Sequence, residues 1–157
     1  MCLSVVLCLL YYIYYMENNY FNKVKGYLLE LDFQITYEDD TECVFVVEKE
    51  SLGVKNLVIG CAEPLLIMEQ YILELPEQAS ADIYRSLLQK NRDIIHGAFV
   101  LDETGRKVIF RDTLQIEMLD LCEIEATFNS LALLLSEYSD QLIQFSKDKT
   151  EYSYEHI

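Results

Sequence analysis

Two histidines and five cysteines are the residues of this chain best suited to nucleophilic or metal chemistry, so they come first. His156 lies in the C-terminal tail. His96 stands just before Gly97, where a helix C-terminus favours a cation, and a structural role in the last turn of a helix is expected for it. A Cys–His nucleophile pair would need His96 beside Cys43, Cys61 or Cys122 in space, and a zinc site could draw on the same four residues. Their spacing matches no zinc-ligand motif. Cys2, Cys8, Cys43, Cys61 and Cys122 are odd in number and contain no C-x-x-C, which points to reduced, buried thiols in a cytosolic protein rather than a disulfide framework.

Nucleotide chemistry has no carrier either. There is no G-x-G-x-x-G and no Walker A loop. Glu38-Asp39-Asp40 lacks the ligand spacing and glycine of a calcium loop and reads as a solvated turn. With 27 acidic side chains present, any pair of carboxylates is uninformative. The chain is therefore expected to be no enzyme and to hold no metal or cofactor.

Composition sets the wider frame. The 157 residues suit one domain, and 52% apolar residues with five Gly and two Pro allow a real core. A net charge of -15 repels nucleic acid and anionic membranes and suits a basic or amphipathic partner, or simply solubility.

Residues 1–15, MCLSVVLCLLYYIYY, carry no charge. They are short for a membrane span and lack the basic start and cleavage site of a signal peptide. Translation from Met16 is the favoured reading, with no membrane contact unless the leader is a real anchor. A domain over 16–147 and a frayed tail over 148–157 complete the organisation.

Asn18 or Asn19 can cap a first helix whose stripe is Tyr20, Val24, Tyr27, Leu28 and Leu31, ending near Asp32. Alternation over Phe33–Tyr37 predicts a half-buried strand, and Cys43–Val47 a more buried one, joined by the turn Glu38–Thr41. Glu48–Lys55 reads as a loop. Leu57–Cys61 and Leu65–Leu75 read as two further strands around Pro64, the second ended by Pro76. Ser80 is the expected N-cap of a second helix with Ile83, Leu87 and Ile94 inward and Asp82 in its first turn, stopped by His96 and Gly97. Asn91 falls on the same stripe: it either caps backbone of the nearby hairpin or sets dimer register.

Ala98–Leu101 and Lys107–Arg111 form that hairpin around Asp102–Gly105, with Leu114 and Ile116 extending the second arm and Arg111 and Asp112 closing it in structural pairs. Asp120 and Glu123 make a capping box. The third helix follows, with Leu121, Ile124, Phe128, Leu131, Leu135, Tyr138, Leu142 and Phe145 in steps of three and four. Ala132, Leu133 and Leu134 widen this stripe, so cover on more than one side is expected, from the sheet and in part from a dimer contact. The order gives an α+β fold with an antiparallel sheet and three helices.

The stretch LLQKNRDIIHGAFVLDETGRKVIFRDTLQIEMLDLCEIEATFNSLALLLSEYSDQLI, Leu87 to Ile143, resembles the bacterial YbjN-like, Tir-chaperone-like family, and NLVIGCAEPLLIMEQYILELP looks like its middle strands. The resemblance runs from Met16 to about Lys147, and the leader departs from it. It implies an α-β-β-β-α-β-β-α order like that of the small, acidic, homodimeric type III secretion chaperones, one strand fewer than the residues themselves predict. It also implies a cytoplasmic, non-catalytic protein-binding module that holds a partly unfolded client. The alternative is a regulator of a stress or signalling pathway acting through a folded partner. Strand Cys43–Glu48 as an exposed sheet edge, or helix Ser80–His96, could present the surface. Val44, Val46, Tyr84, Leu88 and Asn91 are the candidate partner or dimer residues.

Overall fold

A computed structural model of the chain describes residues 20–147; the leader, the Met16 start, the Asn18/Asn19 cap, the tail and His156 lie outside them. Helix α1 occupies residues 20–30, with Val24 and Leu28 fully buried. It ends as its sequence expects. Asp32 turns into the left-handed region (φ 56°), and the N–H groups of Asp32 and Phe33 return to the carbonyls of Leu29 and Leu28. A short Asp tolerates this backbone better than most residues, and the two bonds satisfy the carbonyls left open at the helix end.

Four strands follow as consecutive hairpins: β1 (Gln34–Asp39), β2 (Val44–Lys49), β3 (Val54–Ala62) and β4 (Leu65–Glu74). Helix α2 (Ala81–Asn91), β5 (Ala98–Leu101), β6 (Lys107–Gln115) and α3 (Leu121–Lys147) complete the chain. The six strands form one antiparallel sheet in the order β1-β2-β3-β4-β6-β5. Four strands precede α2, as the residue pattern predicts, and the order implied by the family resemblance is one short.

One sheet face carries the core. Phe45, Leu57, Ile59, Leu66, Met68 and Phe110 are fully buried on it. Phe21 of α1 stacks on Phe45 at 4.5 Å between ring centroids, and Phe33 packs on Phe128 of α3 at 4.2 Å. Thr127 and Asp112 join α3 to β6: the buried Thr127 hydroxyl donates to Asp112 Oδ2 at 2.6 Å. Asp120 caps α3 by accepting the Glu123 N–H at 2.8 Å.

Several expectations are corrected. The stretch 48–55 is no simple loop: a 3-10 turn (Glu50–Leu52) closes on Gly53, and β3 begins at Val54, because Gly53 adopts φ 69° and reverses the chain at once. Ser80 stands at the N-cap of α2 without a side-chain capping bond; its carbonyl takes the Ile83 N–H instead. His96 is outside α2, which ends at Asn91, and Gly97 (φ 80°) opens β5 rather than closing the helix. A Cβ at Gly97 would stand 2.4 Å from Phe110 Cζ, so the glycine lets the backbone cross that ring.

The cysteine expectation is also overturned. Cys43 and Cys61 form a disulfide with Cα atoms 5.4 Å apart. The β2–β3 register pairs Val44 with Gly60, which brings Cys43 opposite Cys61 one step beyond, and the Cys61 N–H donates to the Cys43 carbonyl at 2.9 Å. Cys122 is a free thiol but exposed rather than buried, on the first turn of α3.

Candidate protein-binding surfaces

Strand alternation sends every second side chain away from the helices. Cross-strand registers line these up in rows. One runs from Tyr37 to Val46, Val58, Glu69, Arg111 and Ala98, crossing all six strands. Beside it lie Val44, Gly60, Ile67 and Thr113 on one flank and Tyr71, Ile109 and Val100 on the other. Among the described residues no helix covers this face, and it stays partly open: Tyr71 is 55% and Val58 43% exposed. Arg111 and Glu69 pair directly opposite each other on β6 and β4, and the carboxylate of Asp39 stands opposite Val44 at the β1 end of the face. The result is a largely apolar β-surface with charges at its margins, on a chain of net charge -15.

Val44 and Val46 sit on this face, half-buried between their strand neighbours. Their strand is not a sheet edge, which corrects the expectation for Cys43–Glu48. Successive hairpins put β1 outside β2, so the edges are β1 and β5. The two edges differ. At β5 the Asn91 side chain accepts the Phe99 N–H at 2.7 Å and donates to the Phe99 carbonyl at 3.1 Å. Those are the backbone groups an incoming strand would need, so Asn91 caps the hairpin backbone, the first of the two roles its stripe position allowed. At β1, among the described residues, the side-chain bond to the partner strand comes from Thr36, whose hydroxyl donates to the Val46 carbonyl at 3.1 Å.

Tyr84 and Leu88 lie one helical turn apart on α2, away from the strand rows. The Tyr84 hydroxyl donates to the Gly105 carbonyl of the β5–β6 turn at 3.3 Å, and Leu88 is 70% exposed. The five candidate residues therefore fall into three places: Val44 and Val46 on the open sheet face, Tyr84 and Leu88 on α2, and Asn91 at the β5 edge.

The residues considered for catalysis do not converge. Cys43 and Cys61 are bound to each other, and the His96 backbone carbonyl accepts the Ser130 hydroxyl at 2.8 Å on α3. Among the described residues, no group of three or more His, Cys, Asp or Glu side chains is arranged to hold a metal ion. Among them too, no helix is long and apolar enough to cross a membrane.

The family model CesT_Tir_1 matches residues 17–148. A comparison with curated proteins finds no match. Among solved structures, YbjN from E. coli is similar with a TM-score of 0.59 and 12% identity, covering 77% of this chain and 92% of that one. A chain of the HopA1–SchA chaperone–effector complex is similar with a TM-score of 0.56 and 12% identity, covering 84% and 97%. At such identities the likeness is one of fold: three helices on an open antiparallel sheet, shared with the type III secretion chaperones.

Proposed function

Since the chain belongs to the CesT_Tir_1 family, we propose that it is a non-catalytic protein-binding module that holds a partly unfolded stretch of a client protein. One observation carries the proposal. Among the described residues, the open sheet face exposes Tyr37, Val58 and Tyr71 around Val44, Val46, Ile67 and Ile109, a contiguous apolar surface that a folded chain has reason to keep only for a partner. An unfolded client supplies apolar side chains to that face and free backbone groups to the β1 edge, without strict sequence demand. The chaperone–effector complex among the structural neighbours is in keeping with such a role.

The module would act as a homodimer, with Tyr84 and Leu88 of α2 as the contact. Light scattering of the wild-type chain and Leu88→Asp tests this: a dimer that becomes a monomer supports it, and a wild-type monomer ends it. The module would work in the cytoplasm. Disulfides are rare there, so alkylation of cells before lysis should find Cys43 and Cys61 as free thiols if the placement holds.

The client function is tested by light scattering of reduced, aggregating insulin. Wild-type protein should suppress the signal, and Val58→Asp and Tyr71→Asp should not. Suppression that survives both substitutions would remove the sheet face from the mechanism. A regulator acting through a folded partner would instead fail to suppress aggregation at all.

A further inference from the structure

A second apolar surface lies between α3 and the segment that follows α2. Ile95 is 90% and Leu133 58% exposed, and they face a groove of about 370 Å³ floored by Leu134 and Tyr138. Ser130 holds the groove's far wall in place through the His96 carbonyl. Among the described residues, the expected cover over the wide apolar band of α3 is therefore missing on the Leu133 side.

The charge around the groove selects its occupant. Asp93 and Glu137 line it. Along its whole length α3 carries Glu123, Glu125, Glu137 and Asp140 against a single basic residue, Lys147, at its end. Lys90 lies over the Tyr138 ring, 3.6 Å from its centroid, and offsets one of the two lining carboxylates at that end, which leaves the groove acidic. A second copy of this acidic chain would meet like charge here; a cationic partner would not. The backbone argues for the partner's form. An α-helix presents no free backbone groups along its side, so a segment lying on α3 must satisfy its own N–H and C=O groups, as a helix does.

We propose that the groove receives a short amphipathic helix, with an aliphatic ridge between Ile95 and Leu133 and a Lys/Arg flank toward Asp93 and Glu137. The proposal rests on the chain being a protein-binding module but uses a surface separate from the sheet face.

The test is fluorescence anisotropy of the full chain with a labelled Leu/Lys amphipathic peptide of about 18 residues, five turns of helix. A Leu/Glu peptide of the same pattern is the control. Ile95→Asp and Leu133→Asp should each weaken Leu/Lys binding about tenfold or more, as loss of a central anchor does. Both add negative charge, so attraction to an acidic surface alone would strengthen instead. Glu137→Lys should weaken binding several-fold and flatten its salt dependence. Tyr71→Asp adds the same charge on the sheet face and should leave it unchanged. Loss with Tyr71→Asp but not with Ile95→Asp would overturn the groove while leaving the client face standing. Equal affinity in all variants, no binding by the wild type, or a wild-type dimer dissociated by Leu133→Asp would also overturn it. Failure of insulin protection with groove binding intact would sink the client proposal alone.

Discussion

Asn91 and Phe99 form a closed pair: one side-chain amide holds both outward backbone groups of one edge-strand residue, at 2.7 and 3.1 Å. An edge strand with free groups invites pairing with other chains, and here the last residue of α2 blocks it. Asn91→Leu keeps the volume and removes both bonds. It should cost about 2–3 kcal/mol in chemical denaturation, from two lost hydrogen bonds of about 1 kcal/mol each and the exposure or burial of unpaired groups. It should also raise the chain's tendency to self-associate, seen as concentration-dependent mass. An unchanged midpoint would mean that water replaces the amide without loss.

Gly97→Ala should be among the most damaging single-methyl changes. The new Cβ would stand 2.4 Å from the Phe110 ring and 3.1 Å from the Arg111 carbonyl, at a backbone of φ 80°. Strain at the left-handed position adds about 1 kcal/mol and overpacking about 1–3 kcal/mol. Gly97→Ala with Phe110→Leu should recover part of the loss, because the leucine withdraws the obstructing ring atoms. If the single variant melts with the wild type, the β5 approach is looser than described.

The helix pattern, the hairpins and most strand limits were legible because each depends on local chemistry. The three-and-four spacing from Leu121 to Phe145 declares α3, and the alternation around Val44 and Val46 puts them on one face wherever their strand lies. What was not legible depends on partners distant in sequence. Strand order decides whether β2 is an edge, and nothing in Cys43–Lys49 announces that β1 covers it. The Cys43–Cys61 bridge follows from cross-strand register over a separation of 18 residues. The sequence puts the end of α2 too late because His96-Gly97 has the composition of a helix stop. The helix ends earlier, where Asn91 turns its amide to Phe99, and the glycine serves the Phe110 contact instead. The Ile95–Leu133 groove is half visible in the sequence: the α3 stripe is wider than one face needs, but only the fold shows which side the described residues leave open.

The disulfide should stabilise the isolated protein. Closing a loop with a separation of 18 residues restricts the unfolded chain by about 3 kcal/mol in the chain-entropy model. Reductant should therefore lower the melting temperature of the wild-type chain and leave that of Cys43→Ser/Cys61→Ser unchanged. Peptide mapping after native alkylation should find Cys122 labelled and Cys43 linked to Cys61. A wild-type melt indifferent to reductant would show that the bridge adds nothing to the folded state.

Phe128 and Leu133 lie on opposite sides of the same helix and should separate core from surface. Phe128 is 1% exposed and meets Phe33 on the approach to β1. Phe128→Ala should cost about 3–5 kcal/mol, the cavity being deep between α3 and the sheet. Leu133→Ala should stay within about 0.5 kcal/mol, since its side chain already faces water. Equal losses at the two positions would mean that the exposed side of α3 is covered in solution, and a simultaneous fall in mass would identify a second copy as the cover.

Asp102 gives the clearest pH dependence. Its carboxylate accepts the Thr104 hydroxyl at 2.7 Å and the backbone N–H groups of Lys107 and Arg106 at 3.0 and 3.2 Å, which closes the β5–β6 turn. The Thr104 hydroxyl bond is the largest influence and lowers its pKa; slight burial opposes it, and the two N–H bonds and the Lys107 charge lower it further. The folded pKa thus lies below that of the unfolded chain, about 3.9. By linkage the group adds stability that is complete above the unfolded value and is lost as pH falls through the folded one. In amide NMR the Gly105, Arg106 and Lys107 signals should hold steady from pH 7 to about 5 and shift together below about 4 as the turn loosens. Asp102→Asn keeps an acceptor oxygen but has no proton to gain, so the same signals should no longer titrate in that range. Persistence of the shift in Asp102→Asn would assign the titration to another carboxylate and leave the turn held by its backbone alone.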